Sequence, residues 1–340
     1  MTSPIAICIP TRNQGEYLVD ALRSAFAQTV RPMDVVVSDD AGTDDTEAVV
    51  QNFAKSLAKE QAQCLRYERS SIPLGIGGNF DRAVRLGKGD LCVKLDADDI
   101  LEPNFVEVLS GMLGAYPQAG WAHCNVLNVL PDCTPITLAH SRKRTGFYSS
   151  EAALWPYLKH NDTCHCVMIR KSAYLAVGGY RPEMKTCEDW LFWLEMLLGD
   201  WGYVFDERPL AKMRKHPSRT ELMSRRRMAF VESTRFMVPR MEKLFREKAA
   251  DKIKVSPEKA MARFRAATAR LCVSSGSGEG DPEVRKALFK AALDFYPSLL
   301  NRIWYLAGTN LPPSTTMLAT RLAGMPRHYA RVILQPLLRR

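Results

Sequence analysis

The chain has 340 residues, with 47 Lys and Arg against 37 Asp and Glu and a formal net charge of +10. Its 46% apolar and 25% charged residues are those of a globular protein and argue against a disordered or fibrous chain. No stretch nears the roughly 18 uncharged apolar residues of a membrane span, and the start, MTSPIAICIPTRN, lacks the pattern of a signal peptide.

The run Ile5-Ala6-Ile7-Cys8-Ile9 predicts a strand ended by Pro10, and the spacing of Tyr17, Leu18, Ala21, Leu22, Ala25 and Phe26 predicts an amphipathic helix. Asp34–Ser38 reads as a second strand, Asp39–Thr43 as a turn into a helix over about 44–59, and 64–68 as a third strand. Gly75–Gly78 predicts a loop, Asn79–Leu86 a helix and Leu91–Leu95 a fourth strand. Strands follow near 120–128, 164–170 and 203–206, and helices near 150–158 and 188–199. Beyond about 220 the pattern turns helical and basic, starting at Arg225-Arg226-Arg227, with a Ser/Gly-rich flexible break expected at 274–280. Apolar strands separated by helices imply an α/β fold with a mostly parallel, Rossmann-like central sheet buried on both faces. The expected division is a unit over 1–222 and a basic helical extension over 223–340. Residues 1–210 carry 20 basic and 27 acidic side chains, whereas 211–340 carry 27 and 10, so the two parts suit different partners. Nine scattered cysteines, an odd number, suggest buried thiols in a reducing, cytoplasmic setting.

Three polar loops follow predicted strands: Pro10–Asn13, Asp39–Asp40 and Asp96–Asp99. In open α/β sheets the carboxyl ends of the strands form the ligand crevice, so these loops mark a site. Asp96, Asp98 and Asp99 repel one another unless a cation neutralises them. Their oxygens suit Mg2+ or Mn2+ held jointly with phosphates, unless the segment is a solvated turn. Asp39-Asp40 either caps the next helix or accepts hydrogen bonds from a nucleoside. Gly75-Ile76-Gly77-Gly78-Asn79 resembles a phosphate cradle, though it is neither GxGxxG nor a Walker loop. Glu188-Asp189 opens an apolar helix; it serves as a cap or, beside Trp190 and Trp193, supplies a general base next to a sugar. His216 stands in a basic turn and reads as structural or functional. Cys164-His165-Cys166 has no second pair at zinc-ligand spacing and reads as a buried strand.

Taken in order, these pieces resemble the family 2 glycosyltransferases, with their GT-A nucleotide-diphospho-sugar transferase fold. The likeness rests on Ile9–Asn13, Ser38–Thr46, Gly75–Asn79, Gly89–Asp99, Val177–Tyr180, Cys187–Trp190 and the Arg214…His216 turn, and covers about residues 4–220. It implies a nucleoside pocket lined by Pro10, Thr11, Asn13 and Asp40, with Asn79 and Arg82 on the nucleotide and Asp96 on the ribose or donor. It further implies Asp98 as ligand of Mg2+ or Mn2+, His216 near the diphosphate or metal, and Asp189 as general base of an inverting transfer. The implied partners are a nucleotide-diphospho-sugar, with UDP first and dTDP or GDP open, and a glycan or lipid-linked acceptor of cell-surface polysaccharide or lipopolysaccharide synthesis. Asp39-Asp40-Ala41-Gly42 departs from the commoner Asp-Asp-Gly-Ser, and 123–165 follows no family pattern.

The basic C-terminal part suits an anionic membrane surface at the inner face, with Tyr329–Arg340 as an interfacial segment interrupted by Pro336. A nucleic-acid-binding protein is the competing class, but no helix-turn-helix, zinc-finger or RNP pattern is present. A sugar-nucleotide pyrophosphorylase would carry a Gly-rich, Arg- and Lys-bearing loop after its first strand, where Pro10-Thr11-Arg12-Asn13 stands instead.

Overall fold

The computed structural model describes residues 3–139, 143–216, 227–248, 256–277 and 279–310. Strands and helices alternate first: β1 (Ile5–Thr11), α1 (Gly15–Phe26), β2 (Asp34–Asp39), α2 (Thr46–Ser56), α3 (Lys59–Ala62), β3 (Leu65–Arg69), α4 (Gly75–Leu86) and β4 (Leu91–Lys94). Then come β5 (Ile100–Leu101), α5 (Phe105–Ala115), β6 (Ala119–Val129), β7 (Pro135–Ala139), β8 (Gly146–Tyr148) and α6 (Ser150–Tyr157). They are followed by β9 (Val167–Arg170), α7 (Lys171–Ala176), α8 (Glu188–Leu198) and β10 (Gly202–Arg214). The helices α9 (Arg227–Lys248), α10 (Pro257–Ser277), α11 (Pro282–Phe295) and α12 (Leu299–Asn310) close the described chain.

The strands form one sheet in the order β3-β2-β1-β4-β9-β6-β10-β5, with β7 beside β6 and β8 beside β10. The first four are parallel, β9 runs antiparallel between β4 and β6, and β6 and β10 are parallel again. The period-two alternation of a strand divides the core. Ile5, Ile7 and Ile9 pack with Leu18 and Leu22 of α1 and Phe105 and Leu109 of α5. Ala6 and Cys8 face Phe80 and Val84 of α4, in a cluster that continues through α6 and α8 to Met241, Phe245 and Phe264 of α9 and α10. Each fully buried large apolar side chain contributes about 1.5–3 kcal/mol, so both faces of the sheet are strongly specified. Among the described residues no helix is long and apolar enough to cross a membrane, and all nine cysteines are free thiols.

Several local expectations need correction. β1 does not stop before Pro10 but runs to Thr11, with Pro10 opposite Ser38. The backbone of Cys8 faces β4, where its carbonyl accepts from Leu95 N, and pairing there goes no further. Pro10, two residues on, faces the same side, so its missing N–H is not needed. Gly75–Gly78 is the first turn of α4 rather than a loop. Cys164–Cys166 is irregular chain leading into β9, not strand. No predicted element covers Phe105–Ala115, where α5 buries Phe105, Val106, Leu109 and Leu113.

The expected break at 274–280 is, through Ser277, the last turn of α10. Small side chains there serve close packing: a Cβ on Gly276 would stand 3.2 Å from the Phe289 ring and 3.3 Å from Leu288 Cβ of α11. The interfacial reading of Tyr329–Arg340 lies outside the described residues, as do Arg225 and Arg226.

Candidate active site

At the carboxyl end of β4 the chain turns, with Asp99 N donating to Asp96 O at 3.0 Å. This turn gathers Asp96, Asp98 and Asp99 so that one oxygen of each lies within 4.8 Å of the others, Asp98 and Asp99 being buried. Each carboxylate has its own anchor. Lys94 Nζ pairs with Asp96 Oδ1, His216 Nε2 lies 2.9 Å from Asp98 Oδ2, and Arg214 N donates to Asp99 Oδ1 at 3.0 Å. Burial alone would pull the Lys94 ammonium down, but the adjoining Asp96 carboxylate more than offsets this and raises it.

The end of β10 is clamped onto this turn. Arg214 Nε donates to Asp98 O at 3.0 Å, Nη2 meets Asp20 Oδ2 at 2.9 Å, and its guanidinium lies 4.8 Å from the Tyr17 ring centroid. That ring sits 4.8 Å from the His216 imidazole. Three clustered carboxylates form a hard-oxygen donor set, which fits Mg2+ or Mn2+ rather than a thiolate-seeking metal.

The ends of β1 and β2 form the adjoining wall. Thr11 is buried, and its Oγ1 has no hydrogen-bond partner among the described residues. Asn13 adopts a left-handed φ of 54°, and its Oδ1 accepts from Thr43 N at 2.7 Å. Asp40 is buried at the mouth of α4, where Oδ1 accepts from Leu74 N and Oδ2 from Gly75 N at 3.0 Å. The glycine segment therefore meets this chain's own carboxylate at its helix start, where the sequence suggested a phosphate cradle.

Asn79 is buried with its amide committed to the fold. Oδ1 accepts from Ser38 Oγ at 2.7 Å, and Nδ2 donates to Ser38 O at 2.8 Å and Thr11 O at 3.2 Å. Arg82 Nη1 donates to Ser38 Oγ at 2.7 Å and Glu68 O at 2.9 Å. Pro10 is half-buried at the same strand end.

Beside the start of α4, α8 begins at Glu188-Asp189 after Cys187 in a left-handed turn, φ 57°. Asp189 is half-buried; Oδ1 accepts from Trp190 N and Oδ2 from Asn161 Nδ2, both at 2.7 Å. The start of α8 packs on the start of α4, since a Cβ on Gly77 would come within 3.2 Å of Glu188 Cγ. Burial first, then the Asp189 charge, pushes the Tyr180 hydroxyl well up. One short segment touches both Asp189 and the acidic cluster: Asn161 bonds Asp189, and Cys166 Sγ stands 3.9 Å from Asp99 Oδ2.

Trp190 and Trp193 do not form an aromatic platform for a sugar. Both are buried; Trp190 Nε1 donates to Tyr157 O at 2.7 Å, and Trp193 stacks on Trp121 at 4.8 Å.

The fold thus gathers Asp96, Asp98 and His216 in one cluster, Thr11, Asn13, Asp40, Asn79 and Arg82 along one wall, and Asp189 across the 161–166 segment. Sequence reasoning gave no role to Lys94, Tyr17, Asp20 or Asn161. For Lys94 a signal existed, a lone charge inside the buried run of β4. The others lie far from their partners in sequence, so no local pattern marks them.

The glycosyl transferase family 2 model matches residues 6–178, just over half of the chain. The chain is 36% identical over 104 residues to a chondroitin synthase of Escherichia coli, covering 31% of this chain and 14% of that protein's length. It is 30% identical over 122 residues to a GalNAc(5)-diNAcBac-PP-undecaprenol beta-1,3-glucosyltransferase of Campylobacter jejuni, covering 35% and 36%. The chain thus spans well under half the length of these relatives.

Among solved structures, S. aureus TarS in complex with UDP-GlcNAc superposes with a TM-score of 0.66 at 15% identity, covering 95% of this chain and 93% of that one. A mannosyltransferase of Pyrobaculum calidifontis in complex with GDP-Man and Mn2+ gives 0.52 at 15% identity, covering 95% and 87%. The structural likenesses show the GT-A fold, and the family match over half of the chain shows that it belongs to glycosyl transferase family 2.

Proposed function

We propose that the chain is an inverting, metal-dependent transferase moving a sugar from a nucleotide diphosphate, UDP first, to a hydroxyl of a glycan or lipid-linked acceptor in cell-surface polysaccharide synthesis. The observation that carries this reading is one short segment that touches both the acidic cluster of Asp96, Asp98 and Asp99, through Cys166, and Asp189, through Asn161. In this reading Pro10, Thr11, Asn13 and Asp40 line the nucleoside pocket, where a nucleoside hydroxyl or base would satisfy the orphaned Thr11 Oγ1. Asn79 and Arg82 contact the nucleotide from the wall they brace, and Asp96 faces the ribose or donor.

Asp98, with Asp96 and Asp99, would hold the Mg2+ or Mn2+. When bound, that ion supplies positive charge against the departing diphosphate. Asp189 accepts the acceptor's hydroxyl proton as that oxygen bonds the anomeric carbon from the face opposite the diphosphate. The carbon–oxygen bond to the diphosphate breaks with its electron pair leaving on phosphate, and a single displacement inverts the centre. His216, beside Asp98, holds the turn and would stand near the diphosphate or metal.

Residues 1–222 would form the catalytic unit and 223–340 its attachment to anionic lipid at the inner, cytoplasmic face of the membrane. Supporting that role, α12 turns Leu299, Leu300, Ile303 and Leu306 outward, at 51–75% exposure. Residues 295–340 also carry six arginines and no acidic side chain.

The decisive experiment incubates the full chain with UDP-, dTDP- and GDP-sugars and Mg2+ or Mn2+, and measures nucleoside diphosphate release. Turnover that EDTA abolishes supports the transferase reading, and inertness to every donor overturns it. For the attachment, the full chain is floated with phosphatidylglycerol or phosphatidylcholine vesicles. Binding confined to the anionic vesicles and lost in Ile303→Ser/Leu306→Ser supports it, and equal or absent binding to the two overturns it.

A further inference from the structure

We propose that Asn161 is a positioning residue for Asp189, holding that carboxylate in the orientation from which it takes the acceptor proton. This inference rests on the transferase reading above and on Asp189 as its general base.

The hydrogen bonds fix the direction of the contact. Thr163 N donates to Asn161 Oδ1 at 2.9 Å. A backbone N–H can only donate, so the oxygen of the carboxamide faces Thr163 and its NH2 faces Asp189. Nδ2 therefore donates to Asp189 Oδ2 at 2.7 Å. The other oxygen, Oδ1, accepts from Trp190 N at 2.7 Å. Each carboxylate oxygen is thus tied once, by a donor, and an ionised carboxylate retains acceptor sites on both oxygens for an incoming hydroxyl.

The segment bearing Asn161 is itself held at several points. Tyr157 and Thr163 hydroxyls are 2.7 Å apart and buried, and Tyr157 O accepts the Trp190 indole N–H. Asp162 lies 3.2 Å from Lys143 Nζ and 2.7 Å from His160 Nε2. Lys143 Nζ lies 4.8 Å and 5.0 Å from the ring centroids of Tyr203 and Tyr157. An amide placed on so anchored a loop gives the carboxylate one orientation rather than several. The same loop ends at Cys166 beside Asp99, so one short piece of chain touches both the base and the acidic cluster.

A mere tie between loop and helix would affect stability and leave the reaction step alone, whereas a positioning role is read in turnover and in its coupling to Asp189. The test measures nucleoside diphosphate release from UDP-GlcNAc with Mn2+, or from whichever donor of the panel is turned over. The variants are Asn161→Ala, the isosteric Asn161→Asp, Asp189→Asn, and Asn161→Ala combined with Asp189→Asn.

Asn161→Ala is expected to lower kcat about 10- to 100-fold with donor KM within about twofold. Asn161→Asp keeps the acceptor for Thr163 N but opposes one carboxylate to another, and is expected to fall at least as far. In the Asp189→Asn background, removing Asn161 is expected to add no further loss, because its partner in catalysis is already gone. Wild-type kcat in either Asn161 variant, or losses that multiply in the double variant, overturns the proposal while the transferase reading stands. A wild-type chain inert to every donor overturns both.

Discussion

Polar groups are used differently in the two regions of the molecule. In the α/β part, Thr11, Asp40, Asn79, Asp98, Asp99, Arg214 and His216 are all buried near the carboxyl ends of strands. In the C-terminal helices the core is mainly apolar and aromatic, with Phe230, Cys272, Leu288, Phe289 and Trp304 in one cluster. Besides its internal polar contacts, this region makes several that reach outward to the α8 side of the first. Ser233 Oγ accepts from Lys185 N at 3.0 Å and Thr186 N at 3.2 Å, just before Cys187-Glu188-Asp189. Arg240 Nε donates to the buried Glu195 of α8 at 2.9 Å, and Arg263 to Trp155 O of α6 at 3.0 Å. One region builds the candidate chemistry, and the other buttresses the helix that carries Asp189.

That contrast is tested most severely at Asp189 itself. Asp189→Asn should cost about 10²–10⁴-fold in turnover, or about 3–5 kcal/mol, with nucleotide affinity unchanged in a calorimetric titration. Full turnover in this variant would remove the reason for calling α8 part of a site. Asp98→Ala should act on the other wall, abolishing the Mn2+-dependent gain in UDP affinity, and an unchanged Mn2+ titration would break the pairing of cluster and base.

Gly276→Val probes the buttress alone. The added carbons meet the Phe289 ring and Leu288, so thermal unfolding should report a loss of about 1–3 kcal/mol with UDP affinity preserved. Ser233→Ala leaves the Lys185 and Thr186 N–H groups short of their acceptor. It should cost about 1–2 kcal/mol in stability, and a larger effect on kcat than on donor KM would tie the buttress to the base. The smallest change expected is at Ala41, which holds a left-handed φ of 53°. Ala41→Gly relieves about 1–2 kcal/mol of backbone strain but adds unfolded-state freedom, for a net gain of up to about 1 kcal/mol in chemical denaturation.

Much of this molecule was legible beforehand wherever the chemistry is local. Apolar strand runs separated by amphipathic helices gave the parallel core, and the Asp96–Asp99 triplet announced its own repulsion. Pattern failed where composition has two physical uses. Glycine and serine at 274–277 read as a flexible connector, yet the same lack of side-chain bulk lets α10 approach α11 closely. Gly75–Gly78 read as an anion cradle, yet Asp40 already occupies that helix start. Trp190 and Trp193 read as a sugar platform, yet the helix rotates both into the core.

The amino-acid sequence by itself determined the order of strands and helices through β4, the acidic character of the strand ends and the basic character of the C-terminal part, because these follow from side-chain periodicity and charge. Only the tertiary structure decided that Lys94 answers Asp96, that Arg214 and His216 close over Asp98 and Asp99, and that Asn161 meets Asp189. Apart from Lys94 and Asp96, these partners are separated by 28 to 118 positions, and they meet only because sheet order and helix packing bring distant chain segments within hydrogen-bond reach.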